Sequence, residues 1–223
     1  MKAAASQVSF WLLAVSAVAG DLNGHVVITK RLSRKTLAPV TYSLRGAAPD
    51  VAPPRPVDEY DRVAVWLEGD NLHPKAPENV TIDQREIDFV PDMLIVPIGS
   101  TVSFPNSDPI FHNVFSLSRA KAFDLGFYPR GQSRSVKFDR PGVVQIYCHV
   151  HSKMYAVIVV TSSPWYAKPA ADGSFNWTGV PAGHYRLCAW HKVAGLFTAD
   201  VTVNPQGSTG VTIRIPVDRE PDR

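Results

Sequence analysis

After its first twenty residues, this chain contains no stretch in which apolar side chains recur at helical spacing. Short alternating or continuously apolar runs appear instead, each closed by proline or glycine, which is the pattern of an all-β sandwich or barrel. Candidate strands cover residues 25–29, 40–44, 63–67, 93–96, 101–104, 135–138, 143–148 and 155–160. Past Pro164 they resume at 174–177, 185–190, 198–203 and 210–215. Nineteen prolines suit strand ends and loops and would break helices. Residues 47–56 (A-A-P-D-V-A-P-P-R-P) read as an extended insertion, and 161–164 (T-S-S-P) as a boundary. Beyond that boundary lies a small module with its own turns at Asp172-Gly173 and Val180-Pro181-Ala182-Gly183. Its roughly 55 residues make a thin core, so it is expected to lean on what precedes it. The role of residues 20–80 stays open: they either complete the first sheets or pair with the C-terminal module.

The ends of the chain are read separately. Lys2 and the apolar run of residues 8–18 precede Ala17-Val18-Ala19, the small-residue pattern of a secretory cleavage site, so residues 1–19 are expected to be a signal peptide. The run falls short of the roughly 20 apolar residues that span a bilayer. No later segment resembles a membrane span, although an uncleaved anchor is the alternative for the first one. Residues 218–223 (D-R-E-P-D-R) read as a solvated tail. Across 223 residues the net charge is only +3, with acids and bases interleaved, which argues against a nucleic-acid partner. An exported chain meets an oxidising compartment, where two cysteines, Cys148 and Cys188, would by default form a disulfide.

A metal reading competes with that default. Residues 143–160 (V-V-Q-I-Y-C-H-V-H-S-K-M-Y-A-V-I-V-V) are two apolar runs joined by a short loop. Val144, Ile146 and Cys148 share one face of the entering strand. His151 and Met154 follow Cys148 at intervals of three, so one loop presents a thiolate, an imidazole and a thioether to one point. Two imidazoles and a thiolate with a weak axial thioether form the blue-copper arrangement: the sulfur ligands favour Cu(I), and imidazole suits both oxidation states. The loop supplies one equatorial histidine, and the best source of a second is His112. Spacing alone leaves His112 open as a ligand or as a loop histidine with a satisfied hydrogen bond. Met154 alone could equally be core filling. His149 has the parity opposite to Cys148 and reads as a surface or supporting residue. His25, His73, His184 and His191 carry no pattern.

Residues 101–116 (T-V-S-F-P-N-S-D-P-I-F-H-N-V-F-S), taken with the cysteine loop, resemble the plastocyanin, azurin and amicyanin family of cupredoxins. Phe104, Asn106, His112, Asn113 and Val114 match its first histidine motif, and Cys148, His151 and Met154 match its C-x₂-H-x₂-M loop. The likeness covers roughly residues 87–162. It departs from the family at Val150 and Ser152, where a proline commonly flanks the loop histidine. The resemblance implies an all-β cupredoxin Greek-key sandwich, in a domain of residues 20–162 that includes an N-terminal extension, with copper on His112, Cys148, His151 and Met154. It also implies that Asn113 hydrogen-bonds across the site. F-P-N-S-D-P-I-F-H-N-V-F-S, A-K-A-F-D-L-G-F-Y and G-S-F-N-W-T-G-V-P-A-G-H-Y-R-L-C-A-W-H further resemble bacterial periplasmic proteins of a methylamine-utilisation-like, plastocyanin-like group. Residues 163–217 are similar to the small transthyretin-like or carboxypeptidase-regulatory-like β-sandwich.

The expected function is therefore electron transport by one type 1 copper in the periplasm, without catalysis. By resemblance the port is the edge of His151, with Tyr155 and Val150 beside it, and the partner is a redox protein such as a cytochrome c or a periplasmic dehydrogenase. Copper binding and delivery is the alternative, although three methionines and seven histidines are few for an exchangeable site. A copper oxidase would need several His-x-His pairs, and His149-Val150-His151 is the single one.

Overall fold

The computed structural model describes residues 19–29, 58–70, 72–205 and 207–216. Most of the expected signal peptide, the candidate strand at 40–44, the insertion at 47–56 and the tail at 218–223 lie outside them. The described residues form strands and one 3₁₀ turn (Tyr60–Arg62), and none of their helices is long and apolar enough to cross a membrane. The chain is all-β, as its punctuation implies.

The strands run β1 (Ala19–Ile28), β2 (Val63–Glu68), β3 (Asn79–Thr81), β4 (Asp83–Arg85), β5 (Asp88–Val90), β6 (Met93–Pro97), β7 (Thr101–Pro105), β8 (His112–Ser118) and β9 (Lys121–Tyr128). They continue with β10 (Ser133–Lys137), β11 (Gly142–Tyr147), β12 (Tyr155–Thr161), β13 (Tyr166–Ala167), β14 (Ser174–Pro181), β15 (Gly183–His191), β16 (Gly195–Val203) and β17 (Ser208–Ile215). A five-stranded sheet in the order β6-β12-β11-β8-β9 faces a three-stranded sheet β10-β7-β3, with the hairpin β4-β5 at one end. Between them lies a core that includes Phe89, Phe104, Val114, Tyr128, Phe138, Val144, Ile146 and Ile158.

A second sandwich takes in the first two described strands. β1 pairs with β14 and runs parallel to β17, while β2 lies between β13 and β15. Both N-terminal strands thus complete sheets whose other strands are C-terminal. Their core gathers Leu22, Val26, Val63, Val65 and Leu67 with Trp177, Leu187 and Ile215. In β1 buried and exposed residues alternate strictly as far as Val26, as a half-covered strand requires.

The two sandwiches share a third apolar layer: Ala64 and Trp66 of β2 and Cys188 of β15 meet Met93, Val157 and Val159. This explains why β2 and β12 read as unbroken apolar runs. In β2, Val63, Val65 and Leu67 point into one core and Ala64 and Trp66 into the shared layer. In β12, Ala156, Ile158 and Val160 point into the first core and Val157 and Val159 into the layer. A strand covered on both faces has no polar face to alternate.

Candidate metal centre

The loop carrying the predicted ligands is held by its flanking strands. β11 and β12 pair antiparallel up to Tyr147 opposite Tyr155, which leaves residues 148–154 to close the hairpin. Val144 and Ile146 point inward, and Cys148, next on that face, is buried in the same core. The amide of Met154 donates to the carbonyl of His151 at 3.0 Å, and this tight turn folds the second half of the loop over the cysteine. Met154 is buried in the same core cluster as Cys148.

His112 opens β8, which neighbours β11 through the pairing of Phe115 with Tyr147. The histidine is the first residue of β8 and not a loop residue. Its Nδ1 lies 3.1 Å from Nδ1 of His151 and 4.0 Å from Sγ of Cys148, and that sulfur is 3.8 Å from Nδ1 of His151. Among the described residues, these three form the one cluster of histidine, cysteine and acidic groups able to hold a metal ion. Three atoms at those separations lie on a circle of radius about 2.1 Å, comparable to first-row metal–imidazole and metal–thiolate bonds.

The other ring nitrogen of His112 explains which atom faces inward. Nε2 lies 2.8 Å from Oδ2 of Asp108. An ionised carboxylate only accepts, so the imidazole proton sits on Nε2 and Nδ1 presents its lone pair to the cluster. Asp108 is itself held on several sides. Its Oδ1 accepts the amide of Glu86 (2.7 Å), its Oδ2 the amide of Ile87 (2.9 Å), and its own amide donates to Oδ1 of Asn106 (3.0 Å). Burial alone would raise its pKa, but the bonds from Ile87, His112 and Glu86 outweigh burial and hold the carboxyl below the usual carboxylate range. Asn106, the asparagine of the family-like motif, donates to the carbonyls of Ile110 (2.8 Å) and Tyr128 (3.0 Å) and so fixes the loop leading into His112.

Asn113 donates to Oδ1 of Asp124 at 2.6 Å, and Oδ2 of Asp124 lies 3.4 Å from Nε2 of His149. The amide of Gly126 and the Asn113 side chain hold Asp124 below the usual range. His149 lies outside the metal-capable cluster; its ring stacks on Phe115, with centroids 3.9 Å apart and planes 7° from parallel. Spacing did not single out Asp108 or Asp124. Asp108 stands four residues before His112, but its turn donors come from a distant hairpin, so nothing in the local sequence signals its role.

The competing disulfide is not formed: Cys148 and Cys188 are both free thiols. Cys188 sits in the shared layer, and burial, reinforced by Glu68, pushes its thiol up to about 12. Of the histidines without a pattern, His191 is fully buried between Glu59 and the amides of Val193 and Ala194, and His184 meets Thr202 at the surface.

His112, Cys148 and Met154 are almost wholly buried, and His151 is the partly exposed member of the group. The donors suit a soft-to-borderline first-row ion: two imidazole nitrogens, a thiol sulfur and a thioether in the same core cluster.

No protein-family model and no curated relative matches this sequence. Among solved structures, the chain is similar to a copper-containing nitrite reductase from Thermus scotoductus SA-01, with 25% identity and a TM-score of 0.36. That match spans 39% of this chain and 22% of the reductase. It is also similar to a purple cupredoxin from Nitrosopumilus maritimus (23% identity, TM-score 0.34, 37% of this chain and 99% of that one). A Cu(I) amicyanin variant matches with 22% identity and a TM-score of 0.35, over 37% of this chain and 82% of that one.

Proposed function

We propose that this chain is a type 1 copper protein that carries single electrons between redox partners outside the cytoplasm. The observation that carries the reading is the convergence of His112 Nδ1, His151 Nδ1 and Cys148 Sγ, with Met154 in the same buried cluster. Bound copper would supply a one-electron couple between Cu(II) and Cu(I). His112 and His151 would offer imidazole to both states, Cys148 a thiolate and Met154 a weak axial thioether. Both histidines hang on a paired sheet or a hydrogen-bonded turn, so the donors keep their places when the charge changes.

With Met154 as fourth donor, copper held here would have no open position for a substrate, which favours transfer over catalysis. The same burial disfavours copper delivery, since a delivered ion must reach the surface. His151 is the candidate port. Val150 beside it is 53% exposed, and Ile110 and Phe111, on the loop leading to His112, are 38% and 60% exposed. A cytochrome c or a dehydrogenase of the periplasm, with its own near-surface cofactor, is the kind of partner this apolar surround suits.

The test is to add Cu(II) to the purified chain and record the visible spectrum beside that of Cys148→Ala. An intense blue thiolate-to-copper band, absent in the variant, is expected. Equal spectra without such a band would refute the copper–thiolate centre.

A further inference from the structure

We infer that Asp108 is a positioning residue for the copper centre, setting both the tautomer of His112 and the balance between Cu(II) and Cu(I). The inference rests on the proposed copper site, and the observations behind it are local and independent of any bound ion. His112 is fully buried, and its outward nitrogen meets a carboxylate oxygen at 2.8 Å. A neutral acceptor would suffice to hold the ring. A carboxylate adds a buried negative charge to the imidazole, making it a stronger donor and favouring the more highly charged ion.

The fold also spends conformational freedom on placing this one carboxylate. The hairpin between β4 and β5 turns through Glu86 and Ile87, which have φ values of +57° and +56°. Two successive left-handed residues make the turn that matches strand twist, a place where asparagine and glycine are usual. Here a glutamate and a β-branched isoleucine adopt it, and the Ile87 side chain is 46% exposed, so burial does not explain the choice. What the conformation achieves is visible in the bonds: the amides of both turn residues point at Asp108, one to each oxygen. Unfavourable backbone held by its surroundings gathers at functional sites. The turn fixes Asp108, Asp108 fixes His112 Nε2, and Nδ1 is left aimed at Cys148 and His151.

Two measurements test this. In the metal-free protein, ¹⁵N shifts of the His112 ring should report a proton on Nε2 alone, and in Asp108→Asn a mixture of tautomers. In the copper-loaded protein, Asp108→Asn should lower the ratio of Cu(II) to Cu(I) affinity on the order of tenfold, raising the one-electron potential by about 59 mV. A wild-type His112 protonated on Nδ1 would overturn the inference, with or without copper and whether or not the variant folds. So would a blue Asp108→Asn protein with an unchanged potential, and the copper centre would then still stand. Absence of any copper–thiolate band in the wild type would instead overturn the proposed function, and the tautomer alone would then decide whether Asp108 orients the ring.

Discussion

Lys192, just past the end of β15, offers a sharp test of how the two sandwiches are joined. Its ammonium pairs with Asp92 of the first sandwich and sits 5.1 Å above the ring of Tyr155, the residue after Met154. Its amide donates to the carbonyl of Arg62 at 2.9 Å, and its carbonyl accepts the Tyr155 hydroxyl at 3.4 Å. The Lys192 side chain is 8% exposed and that of Asp92 35%. Removing one partner of a fully buried ion pair costs roughly 3–5 kcal/mol, because the other charge stays buried and unpaired. Asp92 is a third exposed, so we expect about 2–3 kcal/mol for Asp92→Asn, or a fall in Tm of about 5–10 °C for a chain of this size. Lys192→Met removes the charge and keeps the stem, and should cost less than about 1 kcal/mol. Burial lowers the Lys192 pKa despite the pull of Asp92. The folded state therefore binds its proton less readily than the unfolded chain, and this contribution to stability grows as pH rises toward the ordinary lysine value of about 10.4. The deficit of Asp92→Asn relative to wild type should accordingly shrink between pH 7 and about 10, because a neutral amine needs no counter-charge. Thermal melts followed by circular dichroism read both effects. A Lys192→Met protein as unstable as Asp92→Asn, or a deficit independent of pH, would refute the reasoning.

Two further outcomes follow from buried groups. His191 accepts two backbone amides at Nδ1 and meets Glu59 at Nε2, and burial lowers its pKa below the usual 6.5. Its contribution is whole above that value and is lost as pH falls, so His191→Gln should flatten the acid limb of a stability–pH curve as pH falls below about 6.5. Cys188, its thiol pushed up to about 12, should resist thiol reagents in the folded protein. Cys188→Ser should lose about 1–3 kcal/mol of stability by denaturant titration and leave the copper–thiolate band unchanged.

How far the chain could be read depended on whether a feature was local. Spacing along one loop is covalent, so Cys148, His151 and Met154 could be grouped before any fold was known. The long apolar strands β2, β11 and β12 were equally plain. The three-residue strands β3, β4 and β5 were not, since they carry polar residues and exist by pairing with neighbours. β8 begins with His112-Asn113, which looks like loop chemistry. It holds as a buried strand because Asp108 meets His112 Nε2 and Asp124 accepts from Asn113 Nδ2. β1 and β2 could not be assigned to a sandwich because their partners lie far along the chain. The carboxylate behind His112 was hidden for a related reason: its donors at 86 and 87 reach it only after another hairpin has formed.

The placement of β2 has a consequence for the order in which this chain can be assembled. Glu68 pairs with Arg186, 118 positions later, and β1 waits longer still for β14 and β17. As the polypeptide emerges, the sandwich that holds the ligand loop is complete by β12, while β1 and β2 still lack their partners. The first body can therefore close around its ligands alone, and the second can form only by wrapping back over it. Non-local pairing of this kind is the slow part of folding. The last strands to arrive would then complete the shared layer against a sandwich already folded, so the C-terminal third acts as a clasp fastened after the metal pocket has taken shape.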